Sequence, residues 1–307
     1  MENSFTAPGK IILFGEHAVV YGKPAIAIPV SGMRASAWSQ PGEGKLTINA
    51  LDINQKFNLN NKNNQFSMLA KTLLARTKQN EPNLTINLTS ELPQGSGMGS
   101  SAATSTAVCR ALSNHLGINL EKNQISELVF DAEKIVHGTP SGIDNTVVAY
   151  EAPVYFIKGN KPLTFESGRE FYLVIGDTGI EASTKETVGN VRALWTKEPR
   201  LMDGYFEEIR KVTESGKLAI EKGNIEMVGE LMGENHELLN KIGVGHQELD
   251  KLIEISMDSG AAGAKLTGGG GGGNMLALAE NVEQQKNIYN SITEAGYRAY
   301  QTSFGED

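Results

Sequence analysis

The interpretation of this chain rests on a glycine-rich loop that runs directly into a predicted helix, Pro93-Gln94-Gly95-Ser96-Gly97-Met98-Gly99-Ser100-Ser101-Ala102-Ala103. At a helix start, free backbone N–H groups and the positive end of the helix dipole create a site for phosphate. No lysine precedes the serine pair, so the loop is not a P-loop, and no apolar strand leads straight into it, so a dinucleotide-binding fingerprint is a poor match. A flexible turn with a serine helix cap is the simpler alternative. Three alternating glycines and two serines favour phosphate binding.

A second glycine cluster, at 268–273, follows Gly263-Ala264-Lys265-Leu266-Thr267. A flexible linker is the alternative, but such linkers usually carry serine and join domains, whereas this run lies between two apolar segments. Each ordered glycine is unfavourable by roughly 0.5–1 kcal/mol relative to alanine. We therefore expect a loop that packs against ligand phosphates or against the first glycine loop.

Four titratable side chains are candidates for the chemistry. Lys10 begins a strand that otherwise looks buried, so its ammonium needs an anionic partner or must reach solvent. Glu133 lies at the edge of the apolar face of its helix, where a solvated carboxylate is the alternative. Asp144 follows a turn-rich segment, and a turn or cap role is its alternative. His17 has no second histidine or cysteine nearby, which argues against a metal site and leaves a structural histidine as the simplest interpretation.

Together these features supply phosphate-binding loops, a candidate Mg²⁺ carboxylate with a serine hydroxyl, a candidate base and a lysine. This set suits phosphoryl transfer, in which catalysis consists largely of positioning and charge neutralisation. The arrangement matches neither the P-loop nor the protein-kinase pattern.

Composition limits the remaining possibilities. A length of 307 residues favours one or two domains, and a net charge of −8 argues against a general nucleic-acid or anionic-membrane binder. Cys109 is the single cysteine, which allows no internal disulfide and fits a reducing compartment. No signal-peptide pattern and no membrane-spanning run is found in the sequence. We expect a cytoplasmic protein.

Hydrophobic periodicity predicts mainly strands and turns in the first ninety residues and a mixture of helices and strands afterwards. Strands are predicted at 10–14, 25–30 (closed by Pro29 and a Ser31-Gly32 turn), 46–50, 56–59, 84–88, 171–176, 262–267, 275–279 and 297–302, with a strand-rich stretch at about 146–157. Helices are predicted at 66–79, 101–116, about 125–138, across most of 185–258, and at 281–295. The asparagine-rich stretch 58–64 is interpreted as a solvated hairpin or loop.

Three blocks of the chain resemble, in the expected order, the three motifs of the GHMP kinase superfamily. They are Pro8-Gly9-Lys10 with Gly15-Glu16-His17, the loop at 93–103, and Lys265-Leu266-Thr267 with the glycines at 268–273. Two segments are similar to the mevalonate kinase family in particular, Gly15-Glu16-His17-Ala18-Val19-Val20-Tyr21-Gly22-Lys23-Pro24-Ala25 and His137-Gly138-Thr139-Pro140-Ser141-Gly142-Ile143-Asp144-Asn145. Asn235-His236 with Leu239 and Gly243-Val244 is similar to that family as well.

The resemblance covers essentially the whole chain and implies a two-domain fold of mixed α+β and α/β character. An N-terminal S5-like α/β domain is expected at 1–170 and a C-terminal ferredoxin-like α/β domain at 171–307, with the active site between them. ATP and Mg²⁺ would be used to phosphorylate the 5-hydroxyl group of mevalonate. A homodimer is also suggested by the resemblance.

The resemblance also assigns roles by position. Asp144 matches the catalytic residue that would accept the hydroxyl proton, with Lys10 beside it, and Ser101 and Glu133 match the Mg²⁺ ligands. The substrate side would contain Glu16, His17 and Thr184. The nucleotide would be bound by Pro93, Gly95, Gly97, Met98, Gly99, Ser100, Ser101, Ala102, Gly268 and Gly269.

The chain departs from the family pattern at Gln94 and Ser96, where small residues are common, at Met98 for a usual leucine and at Gly269 for a usual alanine. These changes keep the physical requirements of the loops and bear on nucleotide preference. Rival interpretations are another GHMP kinase (a mevalonate 3-kinase, a phosphomevalonate kinase or a sugar kinase), a catalytically silent ATP-binding sensor, or a scaffold. The segment 137–144 disfavours another GHMP kinase. The presence of Lys10, Glu133 and Asp144 together disfavours a sensor, because binding alone needs no base. A scaffold has no evident use for two glycine-rich loops.

Overall fold

Two long strands, β1 (Phe5–Phe14) and β2 (Pro24–Pro41), contribute residues to both of the units into which the chain divides. One unit comprises Met1–Lys10 and Met33–Glu151, and the other comprises Ile11–Gly32 and Ala152–Asp307. The computed structural model describes residues 4–93, 97–138, 140–181 and 183–305, without the side chains of residues 136 and 137. The family-domain boundary expected at residue 170 stays a prediction.

The remaining elements alternate between helices and strands. The first unit contains β3 (Thr47–Ala50), β4 (Gln55–Asn58), α1 (Gln65–Thr77), β5 (Leu84–Ser90), α2 (Ser100–His115), α3 (Lys122–His137) and α4 (Ile143–Tyr150). The second unit contains β6 (Val154–Ile157), β7 (Leu163–Thr164), β8 (Phe171–Asp177), α5 (Thr184–Lys197), α6 (Pro199–Glu221), α7 (Ile225–Lys241), α8 (Gln247–Asp258), β9 (Gly263–Leu266), β10 (Asn274–Ala279), α9 (Val282–Glu294) and β11 (Arg298–Phe304). Short 3₁₀ turns occupy Ala18–Tyr21 and Leu51–Ile53. Across the described residues, none of these helices has the length and apolar character needed to cross a bilayer.

Helix α2 is the centre of the first unit. It packs against α1, α3, α4 and β5, because its buried face is built from small side chains, Ala102, Ala103, Ala107 and Ala111. The adjoining sheet has the order β4-β3-β5-β2, in which β3 and β5 are parallel and the other pairs antiparallel. The predicted helix after the first glycine loop is thereby confirmed.

The second unit is built on an antiparallel sheet with the order β11-β8-β10-β9. Its strands and helices follow one another as strand, helices, two strands, helix and strand, which is the ferredoxin-like arrangement. Helices α7, α8 and α9 pack on the sheet, and α6 packs on α7. Every residue of β9 and β10 is buried, so these two strands show no alternation of buried and exposed positions. The expected ferredoxin-like domain is confirmed.

Three predicted boundaries are wrong. Strand β1 begins at Phe5 rather than at Lys10, because the strand includes Pro8-Gly9, a pair that usually marks a turn. Residues 146–150 belong to α4 rather than to a strand, because a short buried apolar run such as Val147-Val148-Ala149 has the same composition in a strand and in a buried helix. Strand β2 continues to Pro41 instead of ending at Pro29 and a Ser31-Gly32 turn. Pro29 is tolerated because it falls between the stretch of β2 that pairs with β6 and the stretch that pairs with β5.

The glycine run at 268–273 is an ordered connection between β9 and β10 rather than a linker. At Gly270 (φ 67°), an added Cβ would lie 2.1 Å from the carbonyl oxygen of Val244. The neighbouring Gly271 N–H donates to that same oxygen at 2.9 Å. Glycine is therefore required at 270 both for its backbone conformation and for the close approach.

Replacing Gly270 and Gly273 separately with alanine distinguishes these two requirements. Gly273 has a similar φ of 70°, but an added Cβ would meet nothing within 4 Å. We expect Gly273→Ala to lower the free energy of unfolding by about 1–2 kcal/mol, through left-handed strain alone. Gly270→Ala should lower it by a further ~1–3 kcal/mol because the methyl group overlaps Val244. Urea denaturation measures both, and equal losses would contradict the close-approach argument.

Candidate active site

The first glycine loop packs directly on β1 at Gly9 and Lys10, within the first unit. The N–H of Lys10 donates to the carbonyl oxygen of Met98 at 2.9 Å, and an added Cβ on Gly99 would lie 2.8 Å from Cγ of Lys10. Gly97 and Gly99 both have positive φ values, 74° and 70°. Helix α2 begins at Ser100 immediately after this turn. Its first N–H groups, those of Ser100, Ser101 and Ala102, have no acceptor within the helix itself.

Part of the predicted loop cannot be placed. Gln94, Gly95 and Ser96 lie outside the described residues, so the prediction for Gly95 cannot be compared with the structure. Pro93 on one side and Gly97 to Ala102 on the other are described.

Lys10 and Asp144 form an ion pair, with Nζ 3.1 Å from Oδ1. The Lys10 side chain is nearly buried at 9% exposure, and that of Asp144 is 35% exposed. Asp144 stands in the first turn of α4, after Gly142 with φ 89°, where the helix dipole attracts negative charge. Of the two alternatives expected for Lys10, the structure therefore shows the anionic partner, and the carboxylate of Asp144 is open to a ligand.

Ser101 and Glu133 also come together, from α2 and α3. The Ser101 hydroxyl lies 2.5 Å from Oε1 of Glu133 and 2.8 Å from Oε1 of Gln65. The Ser101 hydroxyl can donate its proton to only one of these two oxygens at a time. Three oxygen atoms with lone pairs therefore lie close together here. Glu133 is 2% exposed, so the alternative of a solvated surface carboxylate is wrong. Gln65, at the start of α1, was not singled out from the sequence.

Glu133 and Asp144 line one cavity of about 220 Å³, together with Pro140, Ser141, Gly142 and Asn145. Among the described residues there is no group of three or more His, Cys, Asp or Glu side chains that would hold a metal ion by itself. Ser101 and Glu133 nevertheless offer hard oxygen donors, which Mg²⁺ prefers, and Mg²⁺ usually takes its other ligands from substrate phosphates and water. The donor set therefore fits a Mg²⁺ ion that binds with a phosphorylated ligand.

A larger cavity of about 330 Å³ opens beside the start of α2. Its apolar walls are Ala50, Ile53, Phe57, Phe66 and Leu88, and its polar lining is Asp52, Asn64, Gln65, Ser90, Ser100, Ser101 and Thr104. The asparagine-rich stretch at 58–64 was predicted to be a solvated hairpin or loop, and residues 59–60 and 62–63 do form turns. In the structure, Asn64 caps α1 through its side chain and also lines this cavity. A flat apolar ligand group fits here, next to free helix N–H groups.

In the second unit, His17 occupies a tight turn after β1. Its backbone has φ 59° and ψ −47°, and the N–H of Ala18 donates to the carbonyl oxygen of Glu16 at 2.6 Å. This is a γ-turn, which is rare and strained for a residue other than glycine. The His17 ring is buried and its Nε2 lies 3.0 Å from the carbonyl oxygen of Gly269. Because a carbonyl only accepts, Nε2 carries the proton and Nδ1 is an acceptor.

Gly269 brings His17 and Thr184 to the same place. An added Cβ on Gly269 would lie 3.0 Å from Oγ1 of Thr184 and 3.3 Å from Oγ1 of Thr187, so the glycine run packs against the start of α5. Gly268 adjoins this contact with φ 76°. His17 and Thr184, which are 167 positions apart in sequence, both lie against Gly269, a further 85 positions along the chain.

Glu16 and Lys265 form a buried ion pair that the sequence reasoning missed. Both side chains have 0% exposure, and Nζ of Lys265 donates to Oε1 of Glu16 and, at 2.6 Å, to the carbonyl oxygen of Leu266. Burial lowers the pKa of Lys265, and the charge of Glu16 opposes that change. The signal was present, since a lysine in an apolar strand is the argument that was applied to Lys10.

Comparison with known proteins places the chain in a family. The GHMP kinases N terminal domain matches residues 64–152, and the GHMP kinases C terminal domain matches residues 217–298. The mevalonate kinase of Thermococcus gammatolerans is 38% identical, over 95% of this chain and 92% of the relative. The chain belongs to the mevalonate kinase family of GHMP kinases.

Solved mevalonate kinase structures agree with this assignment. The Methanococcus jannaschii mevalonate kinase superposes with a TM-score of 0.86 at 28% identity, covering 100% of this chain and 99% of that one. The L. major mevalonate kinase in complex with R-mevalonate has a TM-score of 0.84 at 28% identity, covering 98% and 96%. The fold is therefore that of the mevalonate kinases over at least 98% of this chain.

The state of His17 is directly measurable. Burial lowers the pKa of His17 below 6.5, and the hydrogen bond to Gly269 opposes this only in part. In a histidine NMR titration, with the resonance assigned by His17→Gln, we expect a midpoint below pH 6.5. Between the lowered pKa of folded His17 and 6.5, the unfolded chain binds a proton at this histidine and the folded chain does not. The contribution of neutral His17 to the free energy of unfolding is therefore complete above pH 6.5 and is lost as the pH falls through the folded pKa. A midpoint at or above 6.5 would contradict the buried, neutral ring.

Proposed function

We propose that this protein transfers the γ-phosphoryl group of ATP to the 5-hydroxyl group of (R)-mevalonate, releasing ADP and 5-phosphomevalonate. The observation that carries the proposal is the convergence of Lys10 with Asp144 and of Ser101 with Glu133, whose two carboxylates line one cavity. Phosphoryl transfer to an alcohol requires a base with a cation beside it, and oxygen donors that bind Mg²⁺. Asp144 with Lys10 supplies the first, and Ser101 with Glu133 supplies the second. Membership of the mevalonate kinase family supports mevalonate as the alcohol.

Asp144 is the proposed base. Its partly exposed carboxylate accepts the proton of the 5-hydroxyl group as that oxygen forms its bond to phosphorus. Lys10, at 3.1 Å from the carboxylate, offsets negative charge that develops on the transferring oxygens. A sensor that only binds ATP has no use for this pair.

The nucleotide is proposed to bind in the first unit along the start of α2. The 330 Å³ cavity has the apolar walls and size for the base, and the N–H groups at the helix start face the β-phosphate. The residues of this unit proposed to contact the nucleotide are Pro93, Gly95, Gly97, Met98, Gly99, Ser100, Ser101 and Ala102. The nucleotide contact expected for Gly268 and Gly269 stays a prediction.

Ser101 and Glu133 would hold Mg²⁺, as their oxygen donors and the buried carboxylate indicate. When bound, the ion supplies charge neutralisation at the β- and γ-phosphates. Gln65, through its contact with Ser101, would orient the hydroxyl group.

His17 and Thr184 are proposed to contact mevalonate, because the structure places both against Gly269. The acceptor Nδ1 of His17 suits a substrate hydroxyl group. Glu16, expected at the same substrate end, has its Oε1 on Lys265. A homodimer remains a prediction.

Asp144→Asn should lower kcat by at least about a hundredfold, because the amide cannot accept the proton. The KM for ATP should change much less, since the nucleotide contacts are elsewhere. Steady-state kinetics with both substrates varied provides the measurement. Near-normal turnover would remove Asp144 as the base.

Glu133→Gln should raise the Mg²⁺ concentration required for half-maximal activity, because one anionic oxygen donor is lost. Glu127→Gln is the matched control on the same helix, since Glu127 is 66% exposed and paired with Arg76. A Mg²⁺ titration that is unchanged in Glu133→Gln, or equally shifted in both variants, would refute the ligand assignment.

The proposed reaction is tested by incubating the protein with MgATP and, separately, (R)-mevalonate, phosphomevalonate and galactose. ADP release is followed and products are identified by phosphorus NMR. We expect turnover of mevalonate alone and a 5-phosphate product. A 3-phosphate would overturn the substrate orientation, turnover of another alcohol would overturn the substrate, and ATP binding without ADP release would favour the sensor alternative.

A further inference from the structure

The Glu16–Lys265 ion pair is unusual because it is completely enclosed. Lys265 lies between Ala264 and Leu266 in β9, and all three side chains are buried. Enclosing two charges is unfavourable in itself, and replacing such a pair with apolar side chains is often neutral or stabilising. Stability alone therefore does not explain why the strand carries a lysine here.

The ion pair anchors one side of the strained turn around His17. Glu16 is the residue whose carbonyl oxygen closes the γ-turn with the N–H of Ala18. On its other side is Gly15, with φ 91°, where an added Cβ would lie 2.3 Å from the carbonyl oxygen of Pro24. A non-glycine residue with the backbone of His17 persists only where its surroundings hold it.

One short segment of chain contacts this turn at two points and the strand before it at a third. Lys265 binds the Glu16 side chain, Thr267 donates its hydroxyl to the carbonyl oxygen of Ile12 at 2.7 Å, and the carbonyl oxygen of Gly269 accepts from His17. Lys265, Thr267 and Gly269 alternate along the chain. Removing the first anchor frees the carboxylate end of the turn while leaving the other two contacts available.

We propose that Lys265 is a positioning residue for phosphoryl transfer: its ion pair with Glu16 holds His17 in the strained turn, with the ring oriented to bind mevalonate. Glu16 then acts through His17 and does not itself touch the substrate. The inference rests on the proposed function, in which His17 contacts mevalonate. The Nδ1 atom of His17 can accept a hydrogen bond from mevalonate only while the turn at residues 16–18 keeps its strained conformation.

The first test is Lys265→Met, which keeps the length of the side chain and removes its charge. We expect the KM for mevalonate to rise at least about tenfold, because misplacement of a binding group by an ångström has effects of this size, and the KM for ATP to stay within about twofold. Lys211→Met is the control: Lys211 belongs to the same unit and is ion-paired with Glu208, but on a helix surface where the two side chains are 56% and 54% exposed. An equal rise in both KM values, or no rise, overturns the proposal.

The second test asks whether the effect passes through His17. In the His17→Ala background, adding Lys265→Met should change the KM for mevalonate by less than about twofold, since the residue being positioned is already gone. The same fold-change in the wild-type and His17→Ala backgrounds would show that Lys265 acts independently of His17 and would overturn the proposal.

The double variant Glu16→Gln with Lys265→Met separates positioning from folding. It leaves no unpaired buried charge, so we expect it to fold even if Lys265→Met alone does not, and to show the same raised KM for mevalonate. A double variant with a wild-type KM would refute a positioning role.

A readout without turnover distinguishes this inference from the proposed function. In protein labelled with ¹⁵N-histidine, the ring nitrogens of His17 should show the Nε2–H tautomer in the wild type and a mixture of tautomers in the double variant. Unchanged ring signals would overturn the positioning role whatever the activity. A wild-type protein that does not phosphorylate mevalonate, together with ring signals that do change, would overturn only the proposed substrate and leave the positioning of His17 intact.

Discussion

The close approach of β1 to the first glycine loop is the constraint on which the first unit depends. An added Cβ on Gly9 would lie 2.5 Å from Leu92 and 2.9 Å from the carbonyl oxygen of Met98, and one on Gly99 would overlap the stem of Lys10. Only glycine permits this contact. Because the strand and the loop touch, the ammonium of Lys10 reaches Asp144, and the start of α2, with Ser101, is fixed beside β1. The ion pair and the phosphate-binding helix start are therefore consequences of the same packing.

The buried lysines Lys10 and Lys265 have different roles because their carboxylate partners differ in exposure. Lys10 meets a carboxylate that is one-third exposed, so a ligand can reach Asp144. Lys265 meets a carboxylate with no exposure at all, so Glu16 is available only to the protein. A carboxylate that a ligand can reach is able to accept a proton from it. A fully buried carboxylate contacts only protein groups and can hold a backbone turn in place. Each unit thus uses a lysine and a carboxylate, with exposure deciding the role.

Much of the fold was predictable because its signals are local. The helices α2 and α9 follow from helix-start signals and periodicity, and their predicted ends lie within one residue of the observed ends. Residues 146–150 were misassigned because a short apolar run carries no period. Tertiary burial was not predictable: Glu133, at the edge of an apolar face, is enclosed, and Asn64 both caps a helix and lines a cavity. Gln65 depends on contacts between elements, whereas Lys265 could have been found by the reasoning that was used for Lys10.

The central claim is that Asp144, held beside Lys10, is the group that receives the proton of the 5-hydroxyl group. A crystal structure of the protein with (R)-mevalonate and a non-hydrolysable ATP analogue tests it most directly. The account predicts the 5-oxygen of mevalonate within about 2.6–3.2 Å of a carboxylate oxygen of Asp144, with the Lys10 contact retained. A 5-oxygen hydrogen-bonded to a different side chain, with Asp144 remote from the substrate, would contradict the account.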